Sequence, residues 1–170
     1  MDVLSIIKKE HREVSNLFEQ AKKCEPGDER IVELANEIQT KLSTHLKIEE
    51  RLFYAPLRKR AEDQDELVDM FEAYTEHEAA RSLMTMLSTG RKGDEQFKAE
   101  LQVLGESVKH HVEEEESQVF GIARQIMDKA ELEAVGEAWE RAKHRAGAAN
   151  GVVSKGRKAS AKRSKRKASR

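Results

Sequence analysis

Two stretches of the sequence place a histidine and a glutamate four residues apart. One is HLKIE, with His45 and Glu49 at its ends, and the other is HVEEE, from His111 to Glu115. Residues i and i+4 lie on the same face of a helix, so each imidazole and carboxylate can reach one metal ion. The carboxylate can also bridge to a second ion. This spacing predicts metal ligands on two separate helices.

Two more histidines, His11 and His77, fall on the apolar stripes of two other helical segments. A lone histidine on such a stripe is more often a hydrogen-bonded core residue than a ligand. A carboxylate facing a core is harder to explain without a partner, because burying its charge is costly. If all four helical segments converge on one point, a metal site there would explain both the histidines and the carboxylates on these apolar stripes. The predicted metal ligands are therefore His11, His45, Glu49, His77, His111 and Glu115.

This ligand set limits the metal and its chemistry. Imidazole and carboxylate suit iron, manganese or zinc, and no sulfur ligand favours a softer metal. Two ions would share about six protein contacts, which leaves positions for water, oxygen or peroxide. The neighbouring His110 is about 100° around the helix from His111, which predicts a surface position or a supporting role behind a ligand. Glu50 or Glu116 could contact the site or hold the second ring nitrogen of a ligand.

The apolar periodicity predicts an all-α protein with an up-down-up-down four-helix bundle. Short polar or glycine-containing joins separate the long helices, and Pro56 should kink or end the second. The second and fourth helices would lie diagonally opposite. A short fifth helix, from about Leu132 to Ala142, can cover one side of the bundle. The four long segments are about residues 2–22, 28–56, 66–88 and 94–127.

The chain divides into a bundle with its fifth helix, residues 1–146, and a basic tail, residues 147–170. The tail contains nine Lys/Arg and no Asp/Glu, which leaves 22 Lys/Arg against 32 Asp/Glu in residues 1–146. Its low-complexity composition predicts disorder, because it lacks large apolar residues to offset the entropy of ordering. Its charge could bind nucleic acid weakly and without sequence preference, or simply solubilise the protein.

Composition and the N-terminal sequence indicate the cellular compartment. Cys24 is the single cysteine, so no intrachain disulfide can form, as is usual in a reducing compartment. Acidic and basic residues occur too early for a secretory signal, and no window has the apolar length of a membrane span. We therefore expect a cytoplasmic protein without membrane contact.

The order of these motifs resembles the hemerythrin-like HHE cation-binding family over about residues 1–128. The matching segments are His11, HLKIEERLFYAP from His45, EHE around His77, and HHVEEEE followed by Phe120. The resemblance implies a non-haem di-iron centre in a four-helix bundle. It would make the four histidines terminal ligands, and Glu49 and Glu115 would bridge two irons that an oxo or hydroxo group also joins.

One departure from the family pattern bears on function. Oxygen-carrying hemerythrins place another histidine one turn after the third-helix histidine, where this sequence has Arg81. Arginine does not deprotonate to bind metal, although it can pair with a carboxylate. We expect a more open site that reacts with or senses peroxide, oxygen or nitric oxide, with catalase-like activity as one form. The alternatives are an oxygen or iron carrier without turnover, and a nucleic-acid-associated protein acting through its tail.

Overall fold

The computed structural model describes residues 1–90 and 92–167, with side chains within 1–90 and 92–148. Every regular element in these ranges is helical, so the predicted all-α class is confirmed. The helices are α1 (Val3–Lys22), α2 (Glu29–Glu49), α3 (Ala55–Arg60), α4 (Gln64–Thr89), α5 (Glu95–Glu114), α6 (Phe120–Ile126) and α7 (Lys129–Lys167).

The four long helices α1, α2, α4 and α5 form the bundle. Helix α1 packs against α2 and α5, and α4 packs against the same two helices. Helices α2 and α5 therefore occupy opposite corners, as the sequence predicts. Helix α2 carries His45 and Glu49, and α5 carries His111, with Glu115 directly after its last residue. The two pairs can therefore face one another across the bundle axis.

An aspartate caps the N-terminus of each bundle helix. These residues have extended backbone conformations, and their side chains accept hydrogen bonds from backbone N–H groups of the first turn. Such caps satisfy donors that have no partner within the helix. They fix where each helix begins, and hence which residues share its buried face. The caps are Asp2, Asp28, Asp63 and Asp94.

Two π-helical turns interrupt the helices that carry the histidine–glutamate pairs. One, Glu50–Tyr54, joins α2 to α3, and the other, Glu115–Val119, joins α5 to α6. A π turn inserts an extra residue and rotates the following side chains around the axis. Pro56 lies in the first turn of α3, so the helical path continues past it to Arg60 rather than ending there.

The core consists of two apolar clusters with the predicted ligands between them. The first cluster includes Ile7 and Trp139, and the second includes Val14 and Leu104. On α1, His11 lies midway between Ile7 and Val14 and is itself buried. Apolar side chains thus close both ends of the polar layer.

Helix α7 packs against α1 and α2. It includes the predicted fifth helix but is much longer, and its backbone remains helical through most of the basic tail. Alanine, lysine and arginine have high helix propensity, so the composition of the tail does not oppose a helix. Side chains from residue 149 onward lie outside the described residues, so the predictions of a disordered, nucleic-acid-binding tail stay predictions.

A helix that crosses a bilayer must be both long and apolar. No helix in the described ranges combines the length and the apolar character that crossing a bilayer requires.

The close packing of α7 on the N-terminus depends on Gly136. A Cβ atom here would overlap the carbonyl oxygen of Met1 and lie 3.1 Å from the backbone nitrogen of Val3. We expect Gly136→Ala to lower the free energy of unfolding by about 1–3 kcal/mol. The matched change Gly121→Ala, where a Cβ meets no atom within 4 Å, should stabilise by up to about 1 kcal/mol. Urea denaturation measures both, and equal effects would contradict the tight α7 contact.

Candidate metal centre

All six predicted ligands are buried in one layer of the bundle. Glu49 is 0% exposed, His77 and Glu115 are 1% exposed, and the other three histidines are 5–6% exposed. They come from α1, α2, α4, α5 and the second π turn. The structure thus brings together every residue that the sequence predicts for the site.

Glu49 lies between two histidine pairs. Its Oε1 is 3.3 Å from Nε2 of His45, and its Oε2 is 3.3 Å from Nε2 of His77. Ligand atoms of His11, His45 and Glu49 lie within 4.8 Å of one another, and so do those of Glu49, His77 and His111. The two buried triads therefore share one carboxylate, an arrangement consistent with a dinuclear metal site.

Glu115 faces the same centre from the opposite corner of the bundle. Its Oε2 lies 3.2 Å from Nε2 of His11 and 4.0 Å from Nε2 of His111. It therefore also extends between the two halves of the site. With Glu49 it supplies two negative charges, which would offset much of the charge of two divalent ions.

Several buried atoms around this centre make no hydrogen bond with any described residue. Burying a polar atom without a partner typically costs about 1–3 kcal/mol, so a group of such atoms needs a physical explanation. Their convergence on one point, with negative charge and nitrogen lone pairs, fits cations. They are Nε2 of His11 and His45, both carboxylate oxygens of Glu49 and Glu115, and the hydroxyl of Tyr54.

The contact between His77 and His111 supports the same conclusion. Their Nε2 atoms are 3.1 Å apart. The Nδ1 atom of each ring lies 2.9 Å from a carboxylate oxygen, on Glu50 and Glu76 respectively. A carboxylate only accepts, so each Nδ1 carries a proton. The two Nε2 atoms can therefore approach this closely only when a proton or a metal ion satisfies their facing lone pairs.

A closed ring of four carboxylates holds the Nδ1 atoms of all four histidines. Each of these carboxylates is next in sequence to one of four predicted ligands (His11, Glu49, His77 and Glu115) and binds the histidine of the next helix. Every bundle helix is thereby linked to two others. A hydrogen bond at Nδ1 fixes the tautomer and directs Nε2 inward, which is the usual support for a metal-bound histidine. The pairs are Glu10–His45 at 2.8 Å, Glu50–His77 at 2.9 Å, Glu76–His111 at 2.9 Å and Glu116–His11 at 3.0 Å.

Sequence reasoning found half of this ring. It allowed Glu50 or Glu116 to hold a ring nitrogen, and both do so. It missed Glu10 and Glu76, each of which directly precedes a predicted ligand histidine. The signal was available as a Glu–His dipeptide at 10–11 and again at 76–77. Neither the spacing nor the helical phase shows which imidazole such a glutamate would meet.

A basic side chain lies behind each of the four carboxylates. These outer contacts orient the carboxylates. His110 belongs to this outer layer, as its phase on the helix predicts, and is largely exposed. The pairs are Lys8–Glu116 at 3.0 Å, Arg81–Glu50 at 2.5 Å, Lys143–Glu10 at 2.6 Å and His110–Glu76 at 3.6 Å.

Arg81 occupies the position where the family pattern would place another histidine. Its guanidinium points away from the centre and contacts Glu50 and Glu78, the latter at 2.6 Å. The expectation that it pairs with a carboxylate is confirmed. Ala80, not Arg81, is the residue of this turn that faces the interior, so no extra imidazole is available here.

Arg81→Met should weaken metal binding without abolishing it. Glu50 would still hold Nδ1 of His77 but would lose the guanidinium group that pairs with it. Changes to such supporting groups commonly reduce metal affinity by about 10–100-fold. We expect a reduction of about 10-fold here, because solvent screens the partly exposed pair of Arg81 and Glu50. Competition with a chelator measures the affinity. Arg12→Met is the matched control, since Arg12 forms no ion pair with the described residues; equal affinities would contradict a role for Arg81.

The charges of this layer shift the protonation of its members. Burial alone would lower the pKa of the His45 imidazole, but the charges of Glu49 and Glu10 outweigh it and raise that pKa to about 10. Burial alone would also lower the pKa of the His11 imidazole, but Glu115 outweighs it and raises that pKa above its usual value. Burial would raise the pKa of Glu49, but its histidine neighbours hold it well below the usual value. Without metal, protons therefore fill the place of cations.

Tyr54 is a further candidate ligand that sequence reasoning missed. It lies on the first π turn, is 0% exposed, and its ring centroid is 5.5 Å from that of His77. Its hydroxyl has no hydrogen-bond partner among the described residues. Burial and the charges of Glu115 and Glu49 raise the pKa of this phenol well above its usual value. A metal ion nearby would reverse that effect and favour the phenolate.

The chain matches the model of the Hemerythrin HHE cation binding domain over residues 2–123. It belongs to the hemerythrin HHE cation-binding family. The match includes all six predicted ligands and both π turns, and ends before α7. Within this family's four-helix framework, the buried His/Glu clusters described above are typical of a dinuclear metal site.

A solved structure supports the fold assignment. The crystal structure of a Hemerythrin HHE cation binding domain-containing protein from Mycobacterium kansasii superposes with a TM-score of 0.74 at 20% identity. The alignment covers 88% of this chain and 90% of that one. The likeness therefore extends beyond the family domain into the region of α7. No protein with a curated description matches the sequence.

Proposed function

We propose that this HHE protein holds two iron ions joined by an oxo or hydroxo group and decomposes hydrogen peroxide. The ligands would be the four histidines with Glu49 and Glu115. An iron pair supplies two-electron redox chemistry, by which two peroxide molecules give one dioxygen and two waters. Imidazole and carboxylate ligands suit iron, and manganese or zinc would fit the same atoms.

The observation that carries this proposal is a small cavity beside the four histidines. Its volume is about 20 Å³, enough for a molecule the size of water. Its remaining wall is largely apolar and includes Val14, Leu42 and Val108. A space of this size suits a molecule of two to four atoms, such as peroxide, dioxygen or nitric oxide, better than an organic substrate, and this supports the proposal.

A carboxylate beside the cavity can provide the proton chemistry that peroxide decomposition requires. One peroxide must lose two protons to become dioxygen, and the other must gain two to become two waters. Glu49 and Glu115 would be occupied as ligands, but Glu76 borders the cavity itself. A carboxylate at such a position can accept or return a proton. Arg81, turned outward, adds no ligand that would fill the remaining positions.

The experiment that tests the proposal begins with anaerobic loading of ferrous iron. We expect two irons per chain, a near-ultraviolet oxo-bridge band after oxidation that reduction bleaches, and rapid loss of added peroxide. His111→Ala should reduce peroxide loss to the rate of metal-free protein, whereas His144→Ala, at an exposed position on α7, should not. Normal iron content without peroxide turnover would reject the enzymatic proposal and leave the metal site intact.

Dioxygen carriage is the second candidate, favoured by the apolar wall of the same cavity. Dioxygen and nitric oxide enter apolar space at little cost, since neither needs strong hydrogen bonds. A carrier would show a reversible spectral change with dioxygen and no net consumption of peroxide. An irreversible change with dioxygen would argue against carriage.

Trp139, the single tryptophan of the chain, should report iron loading directly. Its ring centroid is 5.5 Å from that of His45. A bound ion with near-ultraviolet absorption and accessible redox states should quench its fluorescence. Zinc has a filled d shell and no redox chemistry, so equimolar zinc should quench far less. Unchanged fluorescence in fully iron-loaded protein would contradict the position of the metal beside His45.

A further inference from the structure

Helix α7 contributes two side chains to the layer around the proposed metal centre. Glu10 is 8% exposed and directs Oε2 to Nδ1 of His45 at 2.8 Å. Its Oε1 accepts a hydrogen bond from Nε1 of Trp139 at 3.1 Å and an ion pair from Nζ of Lys143 at 2.6 Å. Both partners lie on α7, about 130 residues away in sequence.

This arrangement differs from the other three histidine–carboxylate pairs. The basic side chains behind Glu116, Glu50 and Glu76 are Lys8 on α1, Arg81 on α4 and His110 on α5. Those side chains all belong to the four-helix bundle itself. Glu10 alone of the four carboxylates takes its cation, and an indole donor as well, from a helix that begins after the family match ends at residue 123.

We propose that Trp139 and Lys143 are positioning residues that act through Glu10 to hold His45 in its metal-binding orientation. Helix α7 is then a functional part of the centre and specifically of its His11/His45 half. This inference rests on the proposed dinuclear site. It assigns to the fifth helix a role that the four-helix family domain does not require.

The physical argument begins with the geometry of Glu10. A carboxylate with one oxygen held by two donors cannot rotate away from His45 without breaking a buried hydrogen bond and a close ion pair. The indole also contacts the imidazole edge-to-face, with an interplanar angle of 66°. Contacts from two directions fix the ring plane and thereby direct Nε2 toward the metal position.

The surroundings of Lys143 show what removing it would do. A cleft of about 180 Å³ between α1, α2 and α7 borders Glu10, His45 and Lys143. Lys143 therefore lies where solvent would otherwise reach the carboxylate. Without its ammonium group, water can compete for Glu10, and the pull on the Nδ1 proton of His45 becomes weaker and less directional.

Four variants separate positioning from simple packing. Lys143→Met keeps most of the aliphatic stem but removes the charge, and Trp139→Phe keeps an aromatic ring but removes the N–H donor. Lys143→Arg should behave like the wild type, because it keeps a cation beside Glu10. Arg141→Met is the matched control: Arg141 is exposed on the same helix, and its ion pair is with Glu137.

The measurement is the rate at which full-length protein, loaded anaerobically with ferrous iron, releases it to excess chelator. In Lys143→Met and Trp139→Phe we expect one of the two ions to leave about 10–100-fold faster than in the wild type, and the other at the wild-type rate. Lys143→Arg and Arg141→Met should retain wild-type release. This biphasic pattern would distinguish positioning of one half-site from a general loss of stability.

The failures of the two proposals are distinguishable. If the wild-type protein binds two irons and Lys143→Met releases both at wild-type rates, the role of α7 is overturned and the metal site stands. Equal acceleration of both ions would also overturn it, because that result indicates general loosening of the bundle. A wild-type protein that binds no iron, manganese or zinc would overturn both proposals.

Discussion

Glu49→Gln is expected to eliminate binding of both metal ions, reducing the content from two per chain to nearly none. The two oxygens of Glu49 face different histidines at 3.3 Å each, so a single side chain serves both halves of the site. An amide of the same shape offers one weaker oxygen ligand and no negative charge. Two ions held close together would then lose half of the carboxylate charge that offsets their repulsion.

The same substitution should weaken the metal-free protein. His45 and His77 lose a buried anion that stabilises their protonated forms, which typically costs about 1–3 kcal/mol for such a buried partner. Circular dichroism should still show a folded helical protein at low temperature. Metal content can therefore be measured on folded material, so loss of metal can be assigned to loss of the ligand.

Glu113→Gln is the control for Glu49→Gln. Glu113 lies on α5, is exposed, and pairs only weakly with Lys109 at 3.7 Å. The chemical change is identical, but no candidate ligand is altered. Retention of two ions by Glu113→Gln and of none by Glu49→Gln would establish the shared carboxylate. Retention of two by both would mean that the metals, if present, lie elsewhere.

Metal binding should strengthen as the pH rises, because metal and protons compete for the same imidazoles. The pKa of His45 is raised to about 10 in the metal-free protein, so this ring is protonated at neutral pH. A metal ion needs the neutral ring. Each displaced proton changes the binding free energy by about 1.4 kcal/mol per pH unit.

The metal-free protein should show the opposite trend. A histidine whose folded-state pKa lies above its unfolded value stabilises the fold fully below the unfolded value, here 6.5. That contribution is lost as the pH rises through the folded value of about 10. Between pH 6.5 and 8 we therefore expect Tm to fall without metal, and the increase in Tm caused by metal to grow.

Thermal melts with and without zinc at pH 6.5, 7.25 and 8 measure this difference. Zinc is suitable because it carries no redox chemistry of its own. His45→Gln should flatten the pH dependence of the metal-free protein, and His144→Gln on exposed α7 should leave it unchanged. A metal-induced increase in Tm that stays constant or shrinks with pH would contradict proton–metal competition.

The six candidate ligands could be predicted because their signal is local. His45 and Glu49 share a face whatever the rest of the chain does, since the α-helix fixes where residues i and i+4 point. The capping role of Asp2 depends only on its own turn and could be predicted in the same way. Periodicity likewise placed His11 and His77 on buried stripes.

The supporting residues could not be predicted in the same way. Glu10 meets His45, which is 35 positions away, only because α1 and α2 pack with one particular rotation and register. Arg81 lies on the expected stripe, yet its long side chain turns outward to Glu50. The direction of a flexible side chain depends on neighbouring helices, which helical periodicity does not specify.

The sequence by itself determined the all-α class, the four long helices, and the residue types able to bind a metal pair. These features follow from helical geometry over a few neighbouring residues. Only the tertiary structure decided which carboxylate holds which imidazole, where the π turns lie, and that α7 reaches Glu10. Those contacts join distant parts of the chain, and their formation depends on how the helices pack. The histidine–glutamate pairs become one centre only when four helices and α7 bring their side chains together.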